Sequence, residues 1–121
     1  MIGIDIQDVD RFANFVGTEK MRRVFSRREL EYISKKGNSL ETVAGIFCAK
    51  EAFFKAVGSG ININQLLQIE VGHLRDGAPY YVLSPEVIRQ HNLSTSRIDL
   101  SISHTKKVAA AVCHISRGLM M

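Results

Sequence analysis

The chain has 121 residues, enough for one domain with its own core and too few for two. With 45% hydrophobic and 23% charged residues it reads as an ordinary globule. No apolar run nears the roughly 20 residues of a membrane span, and the start Met1-Ile2-Gly3-Ile4-Asp5 lacks a signal-peptide pattern, so no membrane association and a cytoplasmic location are expected. The net charge of +4 points to an acidic partner without separating nucleic acid, cofactor phosphate and acidic protein.

In chain order, Ile2, Ile4 and Ile6 alternate with Gly3 and Asp5, the period of a strand with one face buried and the other free to hold a carboxylate in a cleft. Asp8 or Asp10 then caps a short helix through Phe12 and Phe15 that stops at Gly17. Lys20, Arg22, Arg23, Arg27 and Arg28 fall in a stretch without acid, with Arg11 one helix earlier. Such a run reads as a solvated face or, beside an exposed Met21 and Phe25, as a docking face for an acidic, partly apolar helix. Ser26-Arg27-Arg28-Glu29 matches a capping box that opens a short helix carrying Leu30, Tyr32 and Ile33, and Gly37-Asn38-Ser39 breaks it.

A long helix follows from about Leu40 to Val57, ended by Gly58 and Gly60, with a loop to Asn64. Gln65 to Leu74 reads as a strand, Arg75-Asp76-Gly77-Ala78-Pro79 as a turn and Tyr80 to Leu83 as the second strand of a hairpin. Ser84-Pro85-Glu86 opens a helix with Pro85 in its first turn. Ile98, Leu100 and Ile102 alternate with polar residues, and Val108 to Ile115 is a continuous apolar run; His104-Thr105-Lys106-Lys107 joins the two as a second hairpin. The predicted fold is α+β, one domain over residues 1–121 with an antiparallel sheet packed against the long helix. Cys48 and Cys113 lie in apolar segments without metal-ligand spacing and read as buried free thiols.

Three features carry possible chemistry. Asp5 stands in an otherwise apolar strand, either as a structural acid or as a functional one. Glu51 and Lys55 lie four apart on the long helix, as a helix-stabilising ion pair or as two groups facing one target. His104 stands near a hairpin turn. Two hard carboxylates from different elements are what Mg²⁺ uses when it keeps waters and takes phosphate oxygens from a substrate, and Lys55 is placed to neutralise phosphate charge. The loop Gly58-Ser59-Gly60 is not a P-loop, since no Gly-Lys-Ser/Thr follows it. The combination suits phosphoryl or phosphodiester transfer, where catalysis is mostly positioning and charge neutralisation.

Four motifs occur in order: Gly3-Ile4-Asp5-Ile6 with Arg11; Phe25-Ser26-Arg27-Arg28-Glu29-Leu30; Phe47-Cys48-Ala49-Lys50-Glu51-Ala52 through Lys55 to Ile61; and Leu100-Ser101-Ile102-Ser103-His104-Thr105. On these, nearly the whole chain resembles the holo-[acyl-carrier-protein] synthases, the small homotrimeric group of 4′-phosphopantetheinyl transferases. The resemblance implies transfer of the 4′-phosphopantetheine arm of coenzyme A to a serine of apo acyl carrier protein, releasing adenosine 3′,5′-bisphosphate, in fatty acid biosynthesis. It implies that Asp5 and Glu51 hold Mg²⁺, that Glu51 helps deprotonate the serine directly or through water, and that Lys55 stabilises charge on the leaving phosphate or protonates it. It further implies that Gly58, Gly60, His104 and Thr105 contact coenzyme A, that Arg11, Arg22, Arg23 and Arg28 meet the acidic helix of the carrier protein, and that sites form between subunits. Ile46 stands where many relatives carry a basic residue, a phosphate contact that Lys106 or Lys107 could supply instead; Gln68 replaces the usual aspartate before Ile69-Glu70, at a position read as structural.

Two other classes compete. A basic RNA-binding or partner-binding domain needs neither acid nor metal, but the aromatic-basic interleaving of single-strand RNA binders is missing and Phe53 and Phe54 read as core, so no nucleic acid is expected. A Mg²⁺-dependent phosphoesterase or nuclease would use the same two acids with water as nucleophile.

Overall fold

The computed structural model describes residues 1–118. Its centre is the helix α3 (Leu40–Val57), about 27 Å long at 1.5 Å per residue. Ser39 starts it by accepting a hydrogen bond from the Thr42 amide (3.3 Å). Gly58 ends it at φ +75°, a left-handed residue that lets the Ser59 amide turn back to the Phe54 carbonyl. Val43, Ala44, Ile46, Cys48, Ala49, Ala52, Phe53, Phe54 and Ala56 are buried, so the helix is apolar nearly all round and needs cover on more than one side.

Two sheets supply that cover, where the sequence predicted one. Strands β1 (Ile2–Asp8), β4 (Ser96–His104) and β5 (Val108–Arg117) form an antiparallel sheet in the order β1-β5-β4, while β2 (Ile69–His73) and β3 (Pro79–Leu83) form a separate hairpin. The register aligns Asp5 with Ala111 and Ile102, and Gln7 with Ala109 and His104. Tyr81 ties the hairpin to the helix by donating its hydroxyl to the Ala49 carbonyl (2.5 Å). Helix α1 (Met21–Val24), α2 (Arg27–Lys35), closed by the predicted Ser26–Glu29 capping box, and α4 (Pro85–Gln90), with Pro85 in its first turn, complete the chain. Among the described residues no helix is long and apolar enough to cross a membrane.

Strand β1 has the expected period with the faces exchanged. Gly3, Asp5 and Gln7 lie under α3, whereas Ile2, Ile4 and Ile6 are 65%, 59% and 65% exposed on the outer face. The reason is a close backbone approach: a Cβ at Gly3 would sit 2.0 Å from the Ala52 carbonyl oxygen and 2.4 Å from the Ala56 nitrogen. Only the glycine face can meet the helix this closely.

Three local expectations also change. Val9–Phe12 is a 3-10 turn, and Asp8, at its cap position, accepts no side-chain bond. The segment before β2 is another 3-10 turn, Ile63–Gln68, and the strand starts only at Ile69. Its cause is Lys50, fully buried in α3, whose ammonium gathers the Leu66 and Ile69 carbonyls (2.8 and 2.9 Å) and Glu29 (2.8 Å). Met21 and Phe25, expected at the surface, are buried; Phe25 packs against Phe15 and lies 5.9 Å below the Lys50 ammonium. Cys48 and Cys113 are free and buried, as predicted.

Candidate active site

Alternation along β1 places Asp5 and Gln7 on the face that meets α3, and helical spacing places Glu51 and Lys55 above them. Asp5 is 3% exposed, and both its oxygens are engaged. Oδ1 accepts from the Lys55 ammonium at 3.0 Å and Oδ2 from the Gln7 amide at 2.9 Å. The same amide nitrogen lies 3.5 Å from Glu51 Oε2, a long contact, and Gln7 Oε1 accepts from Arg11. The Arg11 guanidinium stands over the rings of Phe12 and Phe47 (5.4 and 5.7 Å), which fixes its direction. The two predicted acids therefore share one site.

The electrostatics follow from this crowding. Burial, then the neighbouring Asp5, raises the pKa of Glu51, with Lys55 and Arg11 opposing. The bond to Asp5 raises that of Lys55. Cys48 lies beneath, its thiol at 3.4 Å from the Ala109 carbonyl. Burial and the two acids push it up to about 12, so it stays a neutral thiol rather than a nucleophile. Lys55 pairs with Asp5, not with Glu51, so the helical ion pair considered from sequence does not form.

These donors fit a hard divalent cation. Two carboxylates from different elements converge, and among the described residues no group of three or more His, Cys, Asp or Glu could complete a protein cage. Such a pair leaves most coordination positions to water and phosphate oxygen, the preference of Mg²⁺.

His104 and Thr105 are not brought to this site within one chain. His104 lines a 60 Å³ recess with Tyr32, Thr42, Gly45 and His73, at the N-terminal end of α3. It is two strands away from Gln7 in the same row, about 10 Å across the sheet. Thr105 is the pivot of the β4–β5 turn, its hydroxyl accepting from the Lys107 and Val108 amides (3.2 and 3.1 Å). Gly58 and Gly60, both at positive φ, shape the loop one turn past Lys55. Ile46 is buried, while Lys106 and Lys107 are exposed in the β4–β5 turn. Gln68 is structural, accepting from the Ser84 hydroxyl (2.7 Å) and amide.

The predicted basic face is divided. Arg22 edges a 390 Å³ groove with Phe25, Leu30 and Leu67, Arg28 a second recess against the β2–β3 hairpin, and Arg11 a third beside Phe15 and Phe47. Arg23 is exposed. Sequence reasoning missed Gln7, Glu29 and Lys50. Gln7 was signalled by its place two residues after Asp5 on the same strand face; Lys50 by its helical neighbours Ile46, Phe53 and Phe54, all apolar.

An α+β fold thus packs its sheet and central helix so that two acids and a lysine share one site. Residues 1–113 match the family model described as the 4′-phosphopantetheinyl transferase superfamily. A holo-[acyl-carrier-protein] synthase of Fusobacterium nucleatum is 38% identical over 117 residues, covering 94% of this chain and 96% of that protein. The Helicobacter pylori synthase in complex with coenzyme A superposes with a TM-score of 0.81 at 33% identity, over 96% of this chain and 100% of that one. The Bacillus anthracis synthase in complex with CoA (3′,5′-ADP) gives 0.81 at 33% identity, over 97% and 96%. The chain belongs to the 4′-phosphopantetheinyl transferase superfamily and, within it, to the holo-[acyl-carrier-protein] synthases.

Proposed function

We propose that the chain transfers the 4′-phosphopantetheine arm of coenzyme A to a serine hydroxyl of an apo acyl carrier protein in fatty acid biosynthesis, releasing adenosine 3′,5′-bisphosphate with Mg²⁺ as cofactor. The observation that carries this reading is the convergence of buried Asp5 with Glu51 and Lys55. Bound between the two acids, Mg²⁺ would neutralise charge on the pyrophosphate. Glu51 takes the serine proton, directly or through a water. The serine oxygen bonds to the pantetheine-side phosphorus as the bridging bond to the adenosine-side phosphate breaks. Lys55, its side chain half-exposed, turns toward that leaving phosphate and stabilises its charge.

His104 and Thr105 reach such a site only from a neighbouring copy. The outer face of β1 and β5, where Ile2, Ile4, Ile6 and Val112 are exposed, is suited to bury itself in that assembly, which we read as a homotrimer. Arg22, Arg23 and Arg28, on α1 and α2, and Arg11, in its own recess beside Phe15 and Phe47, offer positive charge toward an acidic carrier protein. Two unpaired buried thiols fit a cytoplasmic location.

The test is intact-mass spectrometry after incubation with coenzyme A, Mg²⁺ and an apo carrier protein. A gain of one phosphopantetheine group, lost on chelating the metal, is expected. No gain with several carrier proteins, alongside hydrolysis of coenzyme A or nucleic acid, would overturn the transferase reading in favour of an esterase or nuclease.

A further inference from the structure

We propose that Gln7 is a positioning residue that holds the two acids in register for the cation, and that Arg11 acts through it by fixing which way its amide faces. The inference rests on the reading that Asp5 and Glu51 bind the metal.

Its basis is donor and acceptor accounting. Two neighbouring carboxylates repel and can only accept hydrogen bonds, so a neutral group with two donors between them relieves the conflict without adding charge. The Gln7 amide nitrogen does this, at 2.9 Å from Asp5 Oδ2 and 3.5 Å from Glu51 Oε2. An amide can be turned over, which would set its oxygen against both acids. Arg11 prevents this: a guanidinium only donates, so the atom facing it must be the amide oxygen. Arg11 is itself held over Phe12 and Phe47, and Gln7 is buried on the helix-facing side of β1. The chain Arg11, Gln7, Asp5 and Glu51 is thus polar at every link with one permitted polarity. Of the two Glu51 oxygens, Oε2 is the one that faces the Gln7 amide.

Simple electrostatics predicts the opposite of this relay for one variant, which makes it decisive. Removing the positive charge of Arg11 would by itself strengthen cation binding; through the relay it frees the amide to turn and weakens binding. The experiment is titration with Mn²⁺ alone, following the free ion by electron paramagnetic resonance, with circular dichroism as the check on folding. Gln7→Met, close to isosteric but without donors, should lower Mn²⁺ affinity by about 10- to 100-fold, the range for groups that orient metal ligands. Arg11→Met should lower it about tenfold, and the double variant should be no weaker than Gln7→Met alone. Native affinity in Gln7→Met, tighter binding in Arg11→Met, or losses that multiply in the double variant would overturn the relay. If Gln7→Met does not fold, the surface variant Arg11→Met decides by its sign. Failure of the underlying metal reading looks different: the unaltered chain does not bind Mn²⁺, or Glu51→Gln binds it as tightly as the unaltered chain.

Discussion

Lys55 closes on Asp5, fifty residues away in sequence, rather than on Glu51 one turn behind it on the same helix. A cation in the site would compete with that ammonium for Asp5 Oδ1. Lys55→Met should therefore raise Mn²⁺ affinity, by about two- to fivefold because the lysine side chain is 53% exposed and screened. The rate of transfer should fall in the same variant by about 100-fold, through loss of charge stabilisation at the leaving phosphate. Opposite movement of affinity and rate is the signature; a parallel fall would make Lys55 a structural clamp on Asp5.

The two acids should differ in what metal concentration can restore. In the proposed reaction Asp5 only holds the cation, while Glu51 also takes the proton. Asp5→Asn should recover much of its rate when Mg²⁺ is raised. Glu51→Gln should stay at least about 100-fold below the unaltered enzyme at any Mg²⁺ concentration, the cost of losing a positioned base. Rates from intact-mass spectrometry across a Mg²⁺ series check this, and recovery of both variants would confine Glu51 to metal binding.

His73 gives stability a pH dependence. Its ring stacks on Tyr32 at 3.8 Å with 2° between planes, and its Nδ1 is buried without a partner. Burial, then the Lys36 ammonium, lowers its pKa from 6.5. The unfolded chain therefore binds a proton more readily than the folded one. This contribution to stability is complete above pH 6.5 and is lost as pH falls from there through the folded-state value. His73→Phe preserves the stack and removes the proton, so its urea midpoint should change less between neutral and mildly acidic pH. Equal slopes for both proteins would sink the assignment.

What the sequence made legible was what neighbours in the chain decide. The helix stop at Gly58 and the Ser26–Glu29 capping box are each set within a few residues and appear as predicted, whereas Ser39, read as part of a break, turns out to cap the long helix. The face of β1 was not legible, because alternation defines two faces without saying which meets a helix. That choice rests on contact between Gly3 and the backbone of Ala52 and Ala56, about fifty residues on. The same limit applies to the site. Asp5 and Glu51 could be named from their type and motif, but the preference of Lys55 for Asp5, the amide of Gln7 between the acids and the capture of Glu29 by Lys50 depend on packing of distant segments.

Glu29 and Lys50 form a fully buried pair, 2.8 Å apart, with all three ammonium donors and both carboxylate oxygens engaged: Glu29 also takes the Ser26 and Val71 amides, and Lys50 the Leu66 and Ile69 carbonyls. Lys50→Met leaves a buried carboxylate alone and should cost about 3–5 kcal/mol in urea unfolding. Replacing both partners by apolar residues should recover only part of that loss, since the Ser26 and Val71 amides would still lack their acceptor. Full recovery in Glu29→Leu/Lys50→Met would show that those amides find water instead.

The proposed assembly makes the strongest demand, because His104 lies on β4, the opposite edge of the sheet from β1, in its own chain. If a neighbour supplies it, Glu51→Gln and His104→Ala should each be inactive alone yet complement when mixed and allowed to exchange subunits. A random mixture in a closed ring restores about a quarter of the sites, those that pair an intact Glu51 with an intact His104. Ile4→Lys, placed in the middle of the exposed isoleucine row, should abolish both this complementation and the oligomer seen by light scattering, since a buried ammonium without a partner opposes association. Activity in a monomeric Ile4→Lys, or no recovery on mixing, would confine each site to one chain and leave the apolar face of β1 without its assigned role.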